Sequence, residues 1–474
     1  MLLNSHFRYM ILFSFFVVLL NGILFGSYSV DDIFLFGNIA VVIFCVSTMY
    51  YCQSRFLILR EKVFVKKIFW FSFGLRVFAV FFYYILFQSI TGTEFDVEAK
   101  DAIYYDWTAR IISDSILNGT FSLHDLISQF TRAFDDSGYI IFLSLSYAVF
   151  TKSVIIVRLL HALLGALTVV LIYRVSESLF DEKTAKVSAI IAATFHPLLL
   201  YVSLHLKETI MVYFLFLFIY QSINILKYNK SIRSVLLLIF CFVALLSFRT
   251  VLGLIAFLSL VGYLIINNKG SVIRRLTFIS IFAFGCIYFL YNIDVIEAVS
   301  AKTKRYAGIE VESVKGGGRS LELYKSRGQN IAKYLSAAPL MTQIINTPYP
   351  SMVKTNIAFY NQTLQWYFAG GLLLWSYLSF YAIVGLYYSI KYKLKTTSIL
   401  LIPFIIYTVA LIISVYIMSI RYNIVKLALL IPFVGYGIIV SNKRIKRHFI
   451  KYAFLVSIIT LMWNYLKLSG RGLM

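Results

Sequence analysis

Residues 155 to 173 read Ile-Ile-Val-Arg-Leu-Leu-His-Ala-Leu-Leu-Gly-Ala-Leu-Thr-Val-Val-Leu-Ile-Tyr, and Arg174 follows at once. As a helix rising about 1.5 Å per residue, this stretch matches the ~30 Å hydrocarbon thickness of a bilayer. Arg158 and His161 interrupt it on one face, and Arg76 sits in a similar run. Ionisable groups at such positions need a partner inside the protein, so these three read as structural. The pattern recurs in both directions, with apolar runs of about 17 to 23 residues between Phe7 and Leu466 separated by short charged gaps. Of the 474 residues, 60% are apolar and only 14% charged, which excludes a soluble chain. Cys45, Cys52, Cys241 and Cys286 lie in or beside the apolar runs, without a CxxC or a nearby His cluster, so neither a disulfide framework nor a zinc site is indicated.

The expected fold is an all-α polytopic membrane protein of about 13 spans, near 8–26, 33–52, 68–89, 155–173, 187–203, 208–226, 234–249, 250–266, 276–293, 367–390, 398–418, 424–441 and 451–467. The net charge of +23 does not point to nucleic acid, because Lys and Arg collect in alternate gaps. Arg55, Arg60, Lys62, Lys66 and Lys67 fill one such gap, and Lys443, Arg444, Lys446, Arg447 and Lys451 fill the last. The positive-inside rule makes these loops and the N-terminus cytoplasmic. Two long segments, about 90–154 and 294–366, then face outward with the short turns at His205-Lys207-Glu208, Arg249 and Arg421-Tyr422. Nine acids, Glu94, Asp96, Glu98, Asp101, Asp106, Asp114, Asp125, Asp135 and Asp136, gather in the first of them, so chemistry is expected on the outer face. The apolar run from Gly138 to Phe150 is too short for a span and reads as re-entrant or interfacial.

Within the acidic segment, Ala102, Tyr105, Ala109, Ile112 and Ile116 fall at helical spacing, with Asp106, Arg110 and Asp114 on another face. This predicts an amphipathic helix at the membrane interface. Asp101 at its start is either a helix cap or a reactive carboxylate. Lys207 and Glu208 either bind a ligand or snorkel to the headgroups as a pair. Arg249, with no acid beside it in sequence, either faces headgroups or grips a phosphate with its planar fork. An acid cluster permits a divalent ion, but no spacing demands one, and no metal ligands or cofactor are assigned. The basic Lys315-Gly-Gly-Gly-Arg319 stretch lacks the GK[ST] of a phosphate loop.

Taken in order, Asp101-Ala-Ile-Tyr-Tyr-Asp-Trp-Thr-Ala109, Gly119, Gly138-Tyr139, Arg158-Leu-Leu-His-Ala-Leu-Leu-Gly165, Tyr173-Arg174, Leu179-Phe180 and His196-Pro197 leading to Lys207-Glu208 form a pattern over about residues 68–270. It resembles the GT-C glycosyltransferases related to the dolichyl-phosphate-mannose protein mannosyltransferases and the bacterial aminoarabinose transferases. Arg421-Tyr422 before an apolar span with Pro432 is similar to the closing element of that family. The resemblance implies a GT-C core over 68–293 with its outer loop at 90–154, preceded by an extra hairpin and cytoplasmic loop, 1–67. The outer loop 294–366, which matches nothing in the family, and closing helices over 367–474 follow.

It further implies transfer of a sugar from a polyprenyl-phosphate-linked donor to a glycan, lipid or protein acceptor at the outer, periplasmic face of a bacterial cytoplasmic membrane. Asp101 is the match to the family's catalytic acid, with Asp96 as the alternative. Lys207, Glu208, Arg249, Arg421 and Tyr105 are the matches for holding donor phosphate or acceptor. Elementary chemistry agrees, since an attacking hydroxyl needs a base and a departing lipid phosphate needs cations. No second carboxylate is placed as a nucleophile, so inversion is expected. A lipid-diphosphate-linked oligosaccharide polymerase or ligase is the nearest alternative. A lipid-sugar flippase or transporter fits less well, because internal repeats are lacking and the outward charges sit at span ends.

Overall fold

The computed structural model describes residues 4–26, 32–96, 99–122, 136–227, 232–266, 345, 349–350, 366–413 and 420–469. Among these residues every regular element is a helix. In chain order they are α1 (Asn4–Leu24), α2 (Asp32–Phe56), α3 (Glu61–Thr91), α4 (Lys100–Leu117), α5 (Ser137–Val149), α6 (Val154–Leu179) and α7 (Glu182–Thr194). Then come α8 (His196–Leu200), α9 (Glu208–Lys227), α10 (Ile232–Phe248), α11 (Thr250–Ile266), α12 (Trp366–Ile413), α13 (Ile420–Val440) and α14 (Lys443–Ser469).

Seven of these, α1, α2, α3, α6, α9, α12 and α13, are long and apolar enough to cross a membrane, and α5, α10 and α11 are shorter apolar helices. The chain is therefore a multi-pass membrane protein built of helices. The expected span at 276–293, the loop at 294–366 apart from residues 345, 349, 350 and 366, and the Lys315–Arg319 stretch lie outside the described residues. The spans expected at 367–390 and 398–418 are the two helical halves of α12, separated where Lys393 leaves helical geometry (φ −133°, ψ 21°).

The run expected as a span over 187–203 is instead broken. Helix α7 stops at Thr194, Phe195 is extended, and α8 restarts at His196 with Pro197 in its first turn, where a missing N–H costs nothing. The break frees carbonyls in an apolar interior, and Arg76 of α3 takes them, donating to Ala192 O at 3.2 Å and Ala193 O at 3.4 Å. That gives the buried arginine the structural role its sequence setting suggested. On the far side of the break, residues 201–207 turn and deliver Lys207 and Glu208 to the start of α9.

Helices α7 and α13 are largely enclosed, with α6, α9 and α12 packed around them. Helix α4 lies against α5, and α5 against α10. Gly138 permits that last approach, since a Cβ there would collide with Ser247. Ala102, Tyr105, Ala109 and Ile112 of α4 are buried, as the spacing predicted, while Ile103, Trp107 and Ile111 form an exposed apolar stripe.

Candidate active site

Three helices begin at the same place. Asp101 is in the first turn of α4, Glu208 opens α9, and Arg421 is the second residue of α13. Unpaired N–H groups at a helix start favour a carboxylate, which suits Asp101 and Glu208, and disfavour a cation. Arg421 is held there by both acids. Its Nε donates to Glu208 Oε1 at 2.6 Å and its Nη1 to Asp101. Asp101 is 58% exposed while Glu208 is 1% exposed, so only the first is open to an incoming molecule of any size. Asp101 is not the cap of α4, because that position is Ala99. Glu208 Oε2 is buried without a hydrogen-bond partner among the described residues.

Lys207 neither snorkels nor takes Glu208 as its hydrogen-bond partner. It is 3% exposed, and its Nζ donates to Asp136 and to Phe248 O at 2.7 Å. Burial pulls the ammonium below its usual range, and the Asp136 charge opposes that shift. Lys207 thus ties the start of α5 to the end of α10. The next residue after Phe248 is Arg249, whose guanidinium stands 4.5 Å over the Tyr422 ring beside the Tyr407 hydroxyl. It faces protein at this end of the bundle, and the Glu208 charge reaches it.

Tyr105 is buried, its ring edge-on to Tyr139 with centroids 5.2 Å apart. Burial first, then the Asp136 charge, raises its hydroxyl well above the usual phenol range. Asp96 is half-buried; its carbonyl accepts the Ala99 N–H at 3.1 Å just before α4, and its charge acts on Tyr201. The structure therefore gathers Asp101, Glu208, Arg421, Tyr105 and Arg249 at one end of the bundle. Asp96 borders them, and Lys207 is a strut beneath.

Sequence reasoning missed Asp106. Its helical spacing with Arg110 and Asp114 suggested a polar face, yet Asp106 is 7% exposed. It accepts the Tyr147 hydroxyl on one oxygen and Arg110 Nε at 2.8 Å on the other, with His205 Nε2 at 3.9 Å. The hydrogen bond to Asp106 is the main cause that raises the Arg110 guanidinium. Asp114 does lie outward, bonded to Lys152 at 2.5 Å. Nothing in the local pattern separates Asp106 from Asp114, because the distinction depends on α5 and the 201–207 turn. Among the described residues, no three His, Cys, Asp or Glu side chains are grouped to hold a metal ion.

A helical, multi-pass membrane protein with two carboxylates joined by one arginine at an end of its bundle is the class this arrangement defines. The sequence model of the family described as Dolichyl-phosphate-mannose-protein mannosyltransferase matches residues 138–293, so the resemblance to GT-C glycosyltransferases is shown over that core segment. Similar solved structures include the apo form of the Archaeoglobus fulgidus oligosaccharyltransferase, at 13% identity and a TM-score of 0.46, covering 87% of this chain and 56% of that one. Another is the archaeal oligosaccharyltransferase AglB from Archaeoglobus fulgidus with an inhibitory peptide and a dolichol-phosphate, at 11% identity and a TM-score of 0.41, covering 78% and 52%. The chain spans about half the length of these structures. No curated protein matches the chain.

Proposed function

We propose that this protein is an integral-membrane glycosyltransferase that moves a sugar from a polyprenyl-phosphate-linked donor to an acceptor hydroxyl at the outer face of a bacterial cytoplasmic membrane. The observation that carries this reading is the meeting of Asp101, Glu208 and Arg421 at one end of the bundle. Asp101 is the exposed carboxylate of the set and acts as general base, taking the proton of the acceptor hydroxyl as its oxygen attacks the anomeric carbon. The lipid phosphate leaves from the opposite face with the bonding electrons, and the anomeric configuration inverts.

Arg421 offsets the charge that grows on the departing phosphate. Its bonds to Glu208 and Asp101 leave further N–H donors for phosphate oxygens. Arg249, one helix end away, is a second cation for the same group. Glu208, buried behind Arg421, holds that guanidinium toward Asp101. Tyr105, kept protonated, walls the site beside Asp101. The segment 68–293 supplies the core of the site, and 367–474 supplies Arg421.

Transfer from radiolabelled polyprenyl-phosphate sugars in membranes tests this reading, comparing wild type with Asp101→Asn and Asp96→Asn at matched expression. A loss of about 10²-fold or more in Asp101→Asn alone is expected for removal of a general base. Loss only in Asp96→Asn moves the base to Asp96. Consumption of a lipid-diphosphate oligosaccharide, with no monosaccharide donor used, replaces the reading by that of a polymerase or ligase.

A further inference from the structure

Asp106 has no place in the mechanism above, yet it joins the elements that build the site. On one oxygen it accepts the Tyr147 hydroxyl of α5; on the other it accepts Arg110 Nε at 2.8 Å, from its own helix. His205 of the 201–207 turn approaches it at 3.9 Å and Tyr147 Oη at 3.5 Å. These contacts lock together α4, which carries Asp101, α5, whose start carries Asp136, and the turn that leads into Lys207 and Glu208.

One backbone observation points to the same junction, and a second to the other end of α5. Among the described residues only Asp136 (φ 78°) and His205 (φ 55°) hold positive φ without being glycine. Such conformations persist where the surroundings over-determine them. Asp136 is held by Lys207, and His205 is fully buried beside Phe95, Tyr139 and His161. The strained turn therefore abuts the Asp106 carboxylate, while the strained helix start lies at the opposite end of α5 from Tyr147.

We infer that Asp106 is a positioning residue that, through Tyr147 and the His205 turn, sets α4 so that Asp101 faces Arg421. Helix α4 lies outside the seven long apolar helices, and ring contacts with α5 such as Tyr105 on Tyr139 permit sliding; a buried carboxylate bonded to Tyr147 does not. This inference rests on the reading of Asp101 as the base, but its first test does not.

In purified protein, spin labels on cysteines replacing the exposed Asn118 and Tyr392 report the distance from α4 to the Lys393 kink in α12. Asp106→Asn and Tyr147→Phe are each expected to shift or broaden that distance by about 2 Å or more, while thermal melting shows a folded protein. An unchanged distribution in both folded variants overturns the proposal, whatever the enzyme transfers. The second test is kinetic. Asp106→Asn is expected to lower kcat at least tenfold with KM for the polyprenyl-phosphate sugar changed less than threefold, and Tyr147→Phe to do the same to a smaller degree. Combining Asp106→Asn with Asp101→Asn is expected to add less than threefold to the loss in Asp101→Asn alone, since a base already absent cannot be misplaced. Multiplying effects would show that Asp106 acts independently of Asp101 and overturn its positioning role. Wild type inert toward every polyprenyl-phosphate sugar would sink the glycosyltransferase reading and leave the distance test standing.

Discussion

Arg249 shows how a single side chain acquires its role. Its guanidinium is stacked 4.5 Å over Tyr422, the residue next to Arg421, and a lysine has neither the plane for that stack nor the fork for a phosphate. Arg249→Lys is expected to cut transfer at least tenfold with expression unchanged; wild-type rates would return Arg249 to an anchoring role. His205 contributes to acid stability. Burial first, then the Arg158, His161 and Arg110 charges, pushes the imidazole well below its ordinary pKa of 6.5. The folded state therefore holds it neutral while the unfolded chain protonates near 6.5, so its contribution is fully present above that pH and is lost as pH falls below it. The thermal midpoint should be level near pH 8 and fall below about pH 6.5, and His205→Asn should flatten that slope. An identical slope in the variant would assign it to other groups.

At the scale of the element, α4 and the α12–α13 pair make separate predictions. Ile103, Trp107 and Ile111 lie along one exposed stripe of α4, which suits a helix resting in the interface with its other face on α5. With the other tryptophans replaced by phenylalanine, Trp107 fluorescence should be quenched by lipids brominated near the headgroup and less by those brominated at the chain end. Quenching by aqueous iodide alone would place α4 in water. Gly385 of α12 and Gly437 of α13 face each other where the helices cross, and a Cβ on either would strike the carbonyl of Phe433 or Tyr381. Gly437→Ala should destabilise by about 1–3 kcal/mol and disturb Arg421 at the head of α13. Gly74→Ala, with nothing near its added carbon, should be neutral or stabilising.

At the scale of the molecule, the basic gaps and the carboxylate–arginine site are expected on opposite sides of the membrane. An exposed cysteine at Asn118 should react with an impermeant maleimide from outside, and one at Arg447 only after permeabilisation. Cys45, Cys52 and Cys241 are buried and Cys286 can be replaced by serine, so the background is low. The reverse labelling pattern would turn the site toward the cytoplasm and remove the proposed donor. Much of this organisation was legible beforehand, because hydrophobic length and charge sign are local quantities: α1, α2, α3, α6 and α9 fall where the apolar runs place them. The break at Phe195 was not, because Pro197 alone does not tell a kinked span from an interrupted one; the Arg76 guanidinium waiting in α3 makes the interruption tolerable.

Sequence alone determined that this is a helical membrane protein and that its acids and isolated cations gather in the same set of gaps, since span length, periodicity and charge asymmetry need no partner to be read. It also singled out Asp101, Glu208, Arg249 and Arg421, each because an ionisable group at a span end is costly without a purpose. Only the tertiary structure decided which of them pair. Arg421 bridges Asp101 and Glu208, Lys207 turns inward to Asp136, and Asp106 is buried while Asp114, two turns on, lies outward. Those outcomes depend on contacts between residues far apart in the chain. A carboxylate's surroundings, and with them its role, are made by the helices that arrive beside it.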